Sequence, residues 1–143
     1  MKLLIDLNVV LDVLLDRQPH VAASASVLAS IETGKAEGVI AGHALTTLYY
    51  LVQKQVGAKR ARQTVRTLLS TFEVAAVDAR VLAAALDCDC PDFEDCVSAA
   101  AAASFGCQFL VTRDVKGFRN AAVRPVTPET ALQIIQHSEL RLK

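Results

Sequence analysis

The sequence has few aromatic residues, no tryptophan and no excess of charge of either sign. Aromatic side chains make up 5% of the 143 residues, and 15 basic residues balance 15 acidic ones. A chain with zero net charge has no bulk attraction to nucleic acids, membranes or acidic substrates. Any binding of nucleic acid must therefore come from a local basic patch or from a bound cation.

Long apolar runs and secretory features are also absent, although 52% of the residues are apolar. No run reaches the roughly 18 residues of a membrane span, and no signal peptide precedes the first predicted strand. The four cysteines fit no common zinc spacing and have no histidine near them: Cys88, Cys90, Cys96 and Cys107. We therefore expect a cytoplasmic protein without membrane association and with buried structural thiols, metal or redox chemistry being the less favoured alternative.

The apolar pattern predicts strands that alternate with helices. Asn8 is expected to cap the first helix, and the tail from residue 137 to 143 is expected to fray. Such alternation is typical of a three-layer α/β/α sandwich around a mainly parallel sheet of four to five strands, here as a single domain over residues 1–143. The predicted strands are 2–6, 39–41, 73–77, 108–112 and 123–126, and the later helices are 20–31, 44–55, 58–70, 79–86, 92–105 and 128–136.

Three aspartates occupy the places where functional residues gather in an open parallel sheet. Asp6 ends the first predicted strand, Asp114 follows the fourth, and Asp95 lies in the first turn of an alanine-rich helix. Converging carboxylates repel one another unless a cation lies between them. Oxygen ligands without His or Cys select Mg²⁺ or Mn²⁺, and such a site suits phosphodiester hydrolysis.

The other acidic residues fit ordinary structural roles. Asp92 and Asp95 have the spacing of a capping arrangement at a helix start. Asp12, Asp16 and Glu94 are expected to be solvated or to cap helices, with Asp12 held in reserve as a residue that could reach the site from the first helix. An isolated aspartate after a strand is more often a turn or cap residue, so the prediction depends on three of them converging.

Basic residues offer two places for phosphate contacts. Arg113 and Lys116 flank Asp114 in sequence and are the better candidates for binding substrate phosphates. A second set lies on one helix face, where a solvated surface is the favoured interpretation and phosphate binding the alternative: Lys59, Arg62 and Arg66.

Two segments resemble the PIN-domain family. LLIDLNVVLDVLLDR resembles the family's opening motif, and DFEDCVSAAAAASFGCQFLVTRDVKGF resembles its second half, with a T-R-D motif after a strand. The resemblance implies a Rossmann-like α/β/α sandwich and a Mg²⁺- or Mn²⁺-dependent endoribonuclease. It matches Asp6, Asp95 and Asp114 to the metal-site acids of the family, and Asn8 to the polar residue that supports the first of them.

The resemblance also implies partners, and it contains one departure. Many small members are VapC-type toxins that cleave RNA, form homodimers and are silenced by an antitoxin protein. The family usually has a further acid near the start of the helix after the second strand, where this chain has Thr47. Asp12 or Asp92 is a candidate to compensate, and the alternative is a catalytically impaired module that binds RNA or a protein partner.

Other phosphate-handling classes fit less well. An aspartyl-nucleophile phosphatase needs a second Asp two residues after Asp6, where this chain has Asn8. A response-regulator receiver needs an Asp at the end of a middle strand, and Asp78 follows a strand that we expect at the sheet edge. No Gly-rich phosphate loop of the common types is present.

Overall fold

The computed structural model describes residues 1–142, in which five strands and seven helices alternate. The strands are β1 (Lys2–Ile5), β2 (Glu37–Ala41), β3 (Glu73–Ala75), β4 (Phe109–Val111) and β5 (Arg124–Val126). The helices are α1 (Leu7–Leu14), α2 (Val21–Glu32), α3 (Gly42–Val56), α4 (Ala58–Thr71), α5 (Ala79–Leu86), α6 (Phe93–Ser104) and α7 (Pro128–Arg141).

The strands form one parallel sheet in the order β3-β2-β1-β4-β5. The central strand β1 is a nearly continuous apolar run, as expected for a strand covered on both faces. Its Leu4 pairs with Val39 on one side and with Leu110 on the other. The edge strand β5 contains Pro125, which is tolerated there because an edge strand needs fewer ladder hydrogen bonds.

Helices cover both faces of the sheet and give the predicted three layers. On one side the helices contact one another in the order α4, α3, α1, α2 and α7, whereas α5 and α6 pack together on the other. Gly38 in β2 shows how closely these layers meet. A Cβ at this position would lie 2.5 Å from the Phe72 ring and 2.7 Å from Ile31, so only glycine fits without rearrangement.

The predicted fold class is confirmed, with an all-parallel sheet of five strands. The edge position of the strand before Asp78 is also confirmed, and the Asp78 side chain caps α5 by accepting from the Val81 amide. Two local predictions are wrong. The chain after residue 136 does not fray there, because α7 continues to Arg141. Asn8 does not cap α1, because the helix begins at Leu7 and Asp6 takes the cap position.

Among residues 1–142, no helix combines the length and the apolar character that a bilayer crossing requires.

Candidate active site

The site is built at the carboxyl ends of the two central strands. Ile5 pairs with Val111, so the next residues, Asp6 and Thr112, emerge side by side. The Thr112 hydroxyl donates a hydrogen bond of 2.9 Å to Asp6 Oδ2, and both residues are buried, Asp6 being 8% exposed. Neighbouring strand ends therefore fix one carboxylate at the base of the site.

Thr112 also positions the second acid. Its hydroxyl oxygen accepts from the Asp114 backbone amide at 3.0 Å, while the Gly117 amide donates to Asp114 Oδ1 at 3.0 Å. A Cβ at Gly117 would come within 2.9 Å of the Asp114 carboxyl carbon, so the turn can close on this carboxylate only with glycine unless the carboxylate shifts. Sequence reasoning missed Thr112, although it is the threonine of the T-R-D motif.

The third acid, Asp95, lies in the first turn of α6. Asp92 caps this helix by accepting from the Asp95 amide at 3.2 Å, which confirms the predicted capping arrangement. The pKa of Asp95 is raised to about 6, chiefly by burial and then, in decreasing order, by the charges of Asp6, Asp92, Asp114 and Glu94. The three predicted aspartates are therefore close enough to oppose one another's ionisation.

The donor set fits a hard divalent cation. The pKa of Asp6 is also raised, chiefly by burial, although the hydrogen bond from Thr112 and the charge of Arg113 oppose the shift. Burial and the charges of neighbouring acids destabilise the charged forms of Asp6 and Asp95. A cation bound between the acids would offset both effects. Carboxylate oxygens without nitrogen or sulfur ligands are the set that Mg²⁺ and Mn²⁺ prefer.

Glu94 is a fourth acid that sequence reasoning assigned to solvent or to a cap. The Thr47 hydroxyl donates to Glu94 Oε1 at 3.1 Å, which brings this carboxylate to the position where the family resemblance expects an acid. His43, one turn earlier in α3, lies 3.2 Å from the Glu94 carbonyl oxygen through Nε2. Two side chains of α3 therefore contact the first turn of α6, one at the backbone carbonyl of Glu94 and one at its carboxylate.

Asp12 does not reach the site, and the expectation that it is solvated or capping is wrong. Its side chain is 0% exposed and Oδ2 lies 2.8 Å from Arg113 Nε, with Ser24 donating a weaker hydrogen bond at 3.3 Å. Because Asp12 points toward Arg113 under the T-R-D turn, it is not available to compensate for Thr47. The ion pair also gives Arg113 a structural contact next to Asp114.

The remaining predicted residues are exposed to solvent. Lys116 is exposed in the turn that follows Asp114. Asn8 is exposed, and its amide oxygen accepts from Arg17 at 3.4 Å; among residues 1–142 its amide group donates no hydrogen bond to the Asp6 carboxylate. The basic residues of α4 are exposed as expected: Lys59, Arg62 and Arg66.

The sequence was compared with known protein families and structures. The sequence profile of the PIN domain matches residues 2–116, which is most of the chain. The chain belongs to the PIN-domain family. No functionally curated protein matches the sequence.

Solved structures share this PIN fold at low sequence identity. VapBC2 from Rickettsia felis, bound to a DNA fragment from its promoter, gives a TM-score of 0.69 at 16% identity and covers 89% of this chain and 98% of its own. FitAcB from Neisseria gonorrhoeae gives 0.67 at 20% identity, with 89% and 98% covered. VapC20 from Mycobacterium tuberculosis, a toxin that cleaves the sarcin-ricin loop, gives 0.62 at 16% identity, with 76% and 86% covered.

Proposed function

We propose that this PIN-domain chain is a Mg²⁺- or Mn²⁺-dependent endoribonuclease whose active site is formed by Asp6, Asp95 and Asp114. The observation that carries the proposal is that Thr112 joins Asp6 Oδ2 and the Asp114 amide at adjacent strand ends. The pKa of Asp95, raised to about 6 by burial and by the charges of Asp6, Asp92 and Asp114, agrees with a third acid beside this pair. A structural cap residue has no need of such an environment. Groups with strongly perturbed pKa values cluster at functional sites.

Each side chain has a distinct task in the proposed mechanism. Asp6 and Asp114 are held by Thr112 and by the Gly117 amide, so their oxygens face the site in fixed positions. Asp95 approaches from α6, where the helix N-terminus favours its charged form. When bound between these acids, the cation would supply activation of water and stabilisation of the charge that develops on the phosphate. Lys116 is placed to bind a neighbouring phosphate at the rim.

Partners follow from the same family relationship. The similar structures include VapBC2 bound to promoter DNA, FitAcB, and VapC20, a toxin that cleaves the sarcin-ricin loop. We propose by analogy that this chain is the toxin of a toxin–antitoxin pair: a single cytoplasmic domain over residues 1–143 that forms a homodimer, cleaves RNA and is bound by an antitoxin. Since the chain has zero net charge, RNA binding must depend on the site and its basic rim rather than on bulk attraction.

The decisive experiment is cleavage of labelled, mixed-sequence RNA by purified protein with Mn²⁺, with Mg²⁺ and with EDTA. We expect cleavage with either metal, none with EDTA, and a loss of at least about 100-fold in Asp6→Asn, as expected when metal-ion catalysis is removed. Asp16→Asn is the matched control, because Asp16 is exposed and its φ of 49° is a conformation that asparagine tolerates. Equal cleavage by wild type and Asp6→Asn would show a contaminating nuclease.

Glu94 is proposed as the fourth acid of the site. We expect Glu94→Gln to raise the Mn²⁺ concentration for half-maximal cleavage roughly 10-fold, the size typical of groups that orient metal ligands. Thr47→Val, which removes only the hydroxyl, is expected to have a smaller effect in the same direction. The control is Glu129→Gln, since Glu129 also lies in the first turn of a helix. An unchanged Mn²⁺ dependence in Glu94→Gln would leave Glu94 outside the site.

A non-catalytic binding module is the second candidate, and Thr47 is the observation that favours it. Replacing an acid by a hydroxyl removes one charge that a cation could bind. The carboxylate of Glu94 beside Thr47 weakens this alternative, because it restores the charge at the same position. Absence of cleavage by folded protein with both metals would favour the binding module.

A further inference from the structure

Three of the four cysteines come together outside the carboxylate site. The Sγ atoms of Cys88, Cys90 and Cys96 all lie within 4.8 Å of one another, and those of Cys88 and Cys90 are 3.1 Å apart. Cys88 and Cys90 belong to the loop between α5 and α6, whereas Cys96 lies in the first turns of α6. The loop therefore folds back so that its two thiols meet a third from the helix.

The spacing of the sulfur atoms suits a thiophilic cation. Zinc bound by thiolates has Zn–S distances of about 2.3 Å in tetrahedral geometry, which separates the sulfur atoms by about 3.8 Å. The sulfur atoms of Cys88 and Cys90 are closer than this, at 3.1 Å, and no pair in the cluster is more than 4.8 Å apart, so small side-chain rotations are enough to reach ligand spacing. Soft sulfur ligands select Zn²⁺ rather than the Mg²⁺ or Mn²⁺ that carboxylates prefer.

The local packing favours a metal site over a chance contact of core residues. Cys96 is 2% exposed, whereas Cys88 and Cys90 are half-buried, so the cluster has a closed side and a side that solvent can reach. Asn120 donates to both the carbonyl and the carboxylate of Asp89 at 3.2 Å, which fixes the loop between the two cysteines. All three thiols are free in this arrangement.

We propose that Cys88, Cys90 and Cys96 bind one Zn²⁺ ion as thiolates, with water in the fourth position. Each thiol releases its proton to solvent when the ion binds. Burial and the neighbouring thiols raise the pKa of Cys90, so without the ion this thiol stays protonated and is not an activated nucleophile.

Zinc at this cluster would fasten the loop to the start of α6. Cys96 directly follows Asp95, so a metal bond at Cys96 would hold the turn that carries the third site acid. This zinc ion would be structural and distinct from the cation that the carboxylates would bind. Its binding does not depend on RNA cleavage.

The test is a titration of the reduced, full-length protein with Co²⁺ as a spectroscopic probe, followed by displacement with Zn²⁺. We expect one Co²⁺ per chain with an intense near-ultraviolet sulfur-to-cobalt absorption, displaced by one equivalent of Zn²⁺. Cys90→Ser and Cys88→Ala should each lower Zn²⁺ affinity at least 100-fold. Cys107→Ser is the matched control, since Cys107 is a buried cysteine outside the cluster.

Two further readouts keep the outcome unambiguous. Asp6→Asn should retain the sulfur-to-cobalt absorption, because that ion is not at the carboxylates. Zn²⁺, but not Mg²⁺, should protect the two half-buried thiols, Cys88 and Cys90, from a thiol-reactive reagent. Absence of the absorption in folded wild-type protein would overturn the proposal. A disulfide pair would also overturn it. The protein purified without reductant would then have a mass two hydrogens below that of the reduced chain, and the reduced protein would bind no metal.

Discussion

Replacing Asp95 by asparagine is expected to abolish metal-dependent RNA cleavage and, at the same time, to stabilise the metal-free protein at neutral pH. The loss of cleavage should be at least about 100-fold, because the site loses one of its three cation-binding carboxylates. The gain in stability arises because the charged form of Asp95 is disfavoured by burial and by the charges of Asp6, Asp92 and Asp114. Asparagine has a similar shape without the charge.

The pH dependence of this stabilisation has a definite sign. The pKa of Asp95 is about 6 in the folded protein and near the ordinary aspartate value of 3.8 when unfolded. Between these two values the folded state binds more protons than the unfolded state, so stability of the wild type falls as pH rises through this window. Asp95→Asn lacks this dependence. Its advantage should therefore be small near pH 4, partial at pH 5 and largest above about pH 7.

Urea denaturation in EDTA at pH 5 and pH 8 measures this difference directly. Adding Mn²⁺ at pH 8 should stabilise the wild type through mass action and should have much less effect on Asp95→Asn. At subsaturating Mn²⁺ the wild type should also lose cleavage as pH falls below about 6, because protonation of Asp95 then competes with binding of the cation. Asp16→Asn, which replaces an exposed aspartate, should behave like the wild type in all of these measurements. Identical stability of Asp95→Asn and wild type at pH 8 would contradict the proposed electrostatic origin.

The parts of the fold that the sequence predicted are those governed by local pattern. The apolar run of β1 and the strand-helix alternation are visible within short windows, and both predict a parallel sheet. The convergence of Asp6 and Asp114 follows from the same rule, since carboxyl ends of adjacent parallel strands lie at one edge. Asp95 could be placed near them because its helix start is marked by Asp92.

Features that depend on contacts between distant segments could not be predicted in this way. Glu94 looks like an ordinary first-turn acid until the structure brings Thr47, 47 residues earlier, to its carboxylate. The three clustered cysteines have no recognised metal spacing, because the loop conformation rather than the spacing brings their sulfur atoms together. In both cases the information lies in tertiary packing, which overrides local pattern.

Asp12 shows the same limit most clearly. Its position in α1 is compatible with a solvated acid, yet the side chain is 0% exposed and pairs with Arg113 at 2.8 Å. The partner lies in the turn after β4, about one hundred residues later in the sequence. A charge can be buried only where it is paired, so each residue depends on the other.

We expect Arg113→Met to destabilise the fold by about 3–5 kcal/mol, the cost of leaving a buried charge without its partner. Asp12→Leu should cost less, because the Arg113 side chain is 30% exposed and can turn its charge to water, whereas Asp12 cannot. The double variant should recover at least half of the loss in Arg113→Met, since replacing both partners by apolar groups leaves no charge buried. Urea denaturation in EDTA of the wild type, the two single variants and the double variant measures these differences in the free energy of unfolding.

The same variants separate the structural role of Arg113 from the proposed role in phosphate binding. A structural role alone predicts that the double variant regains cleavage together with stability, because the T-R-D turn is again held in place. A phosphate-binding role predicts that the double variant stays impaired with a raised KM for RNA, as expected when a charge contact to the backbone is lost. Unchanged stability in Arg113→Met would show that Asp12 tolerates burial without its partner. The ion pair would then not be what stabilises the T-R-D turn.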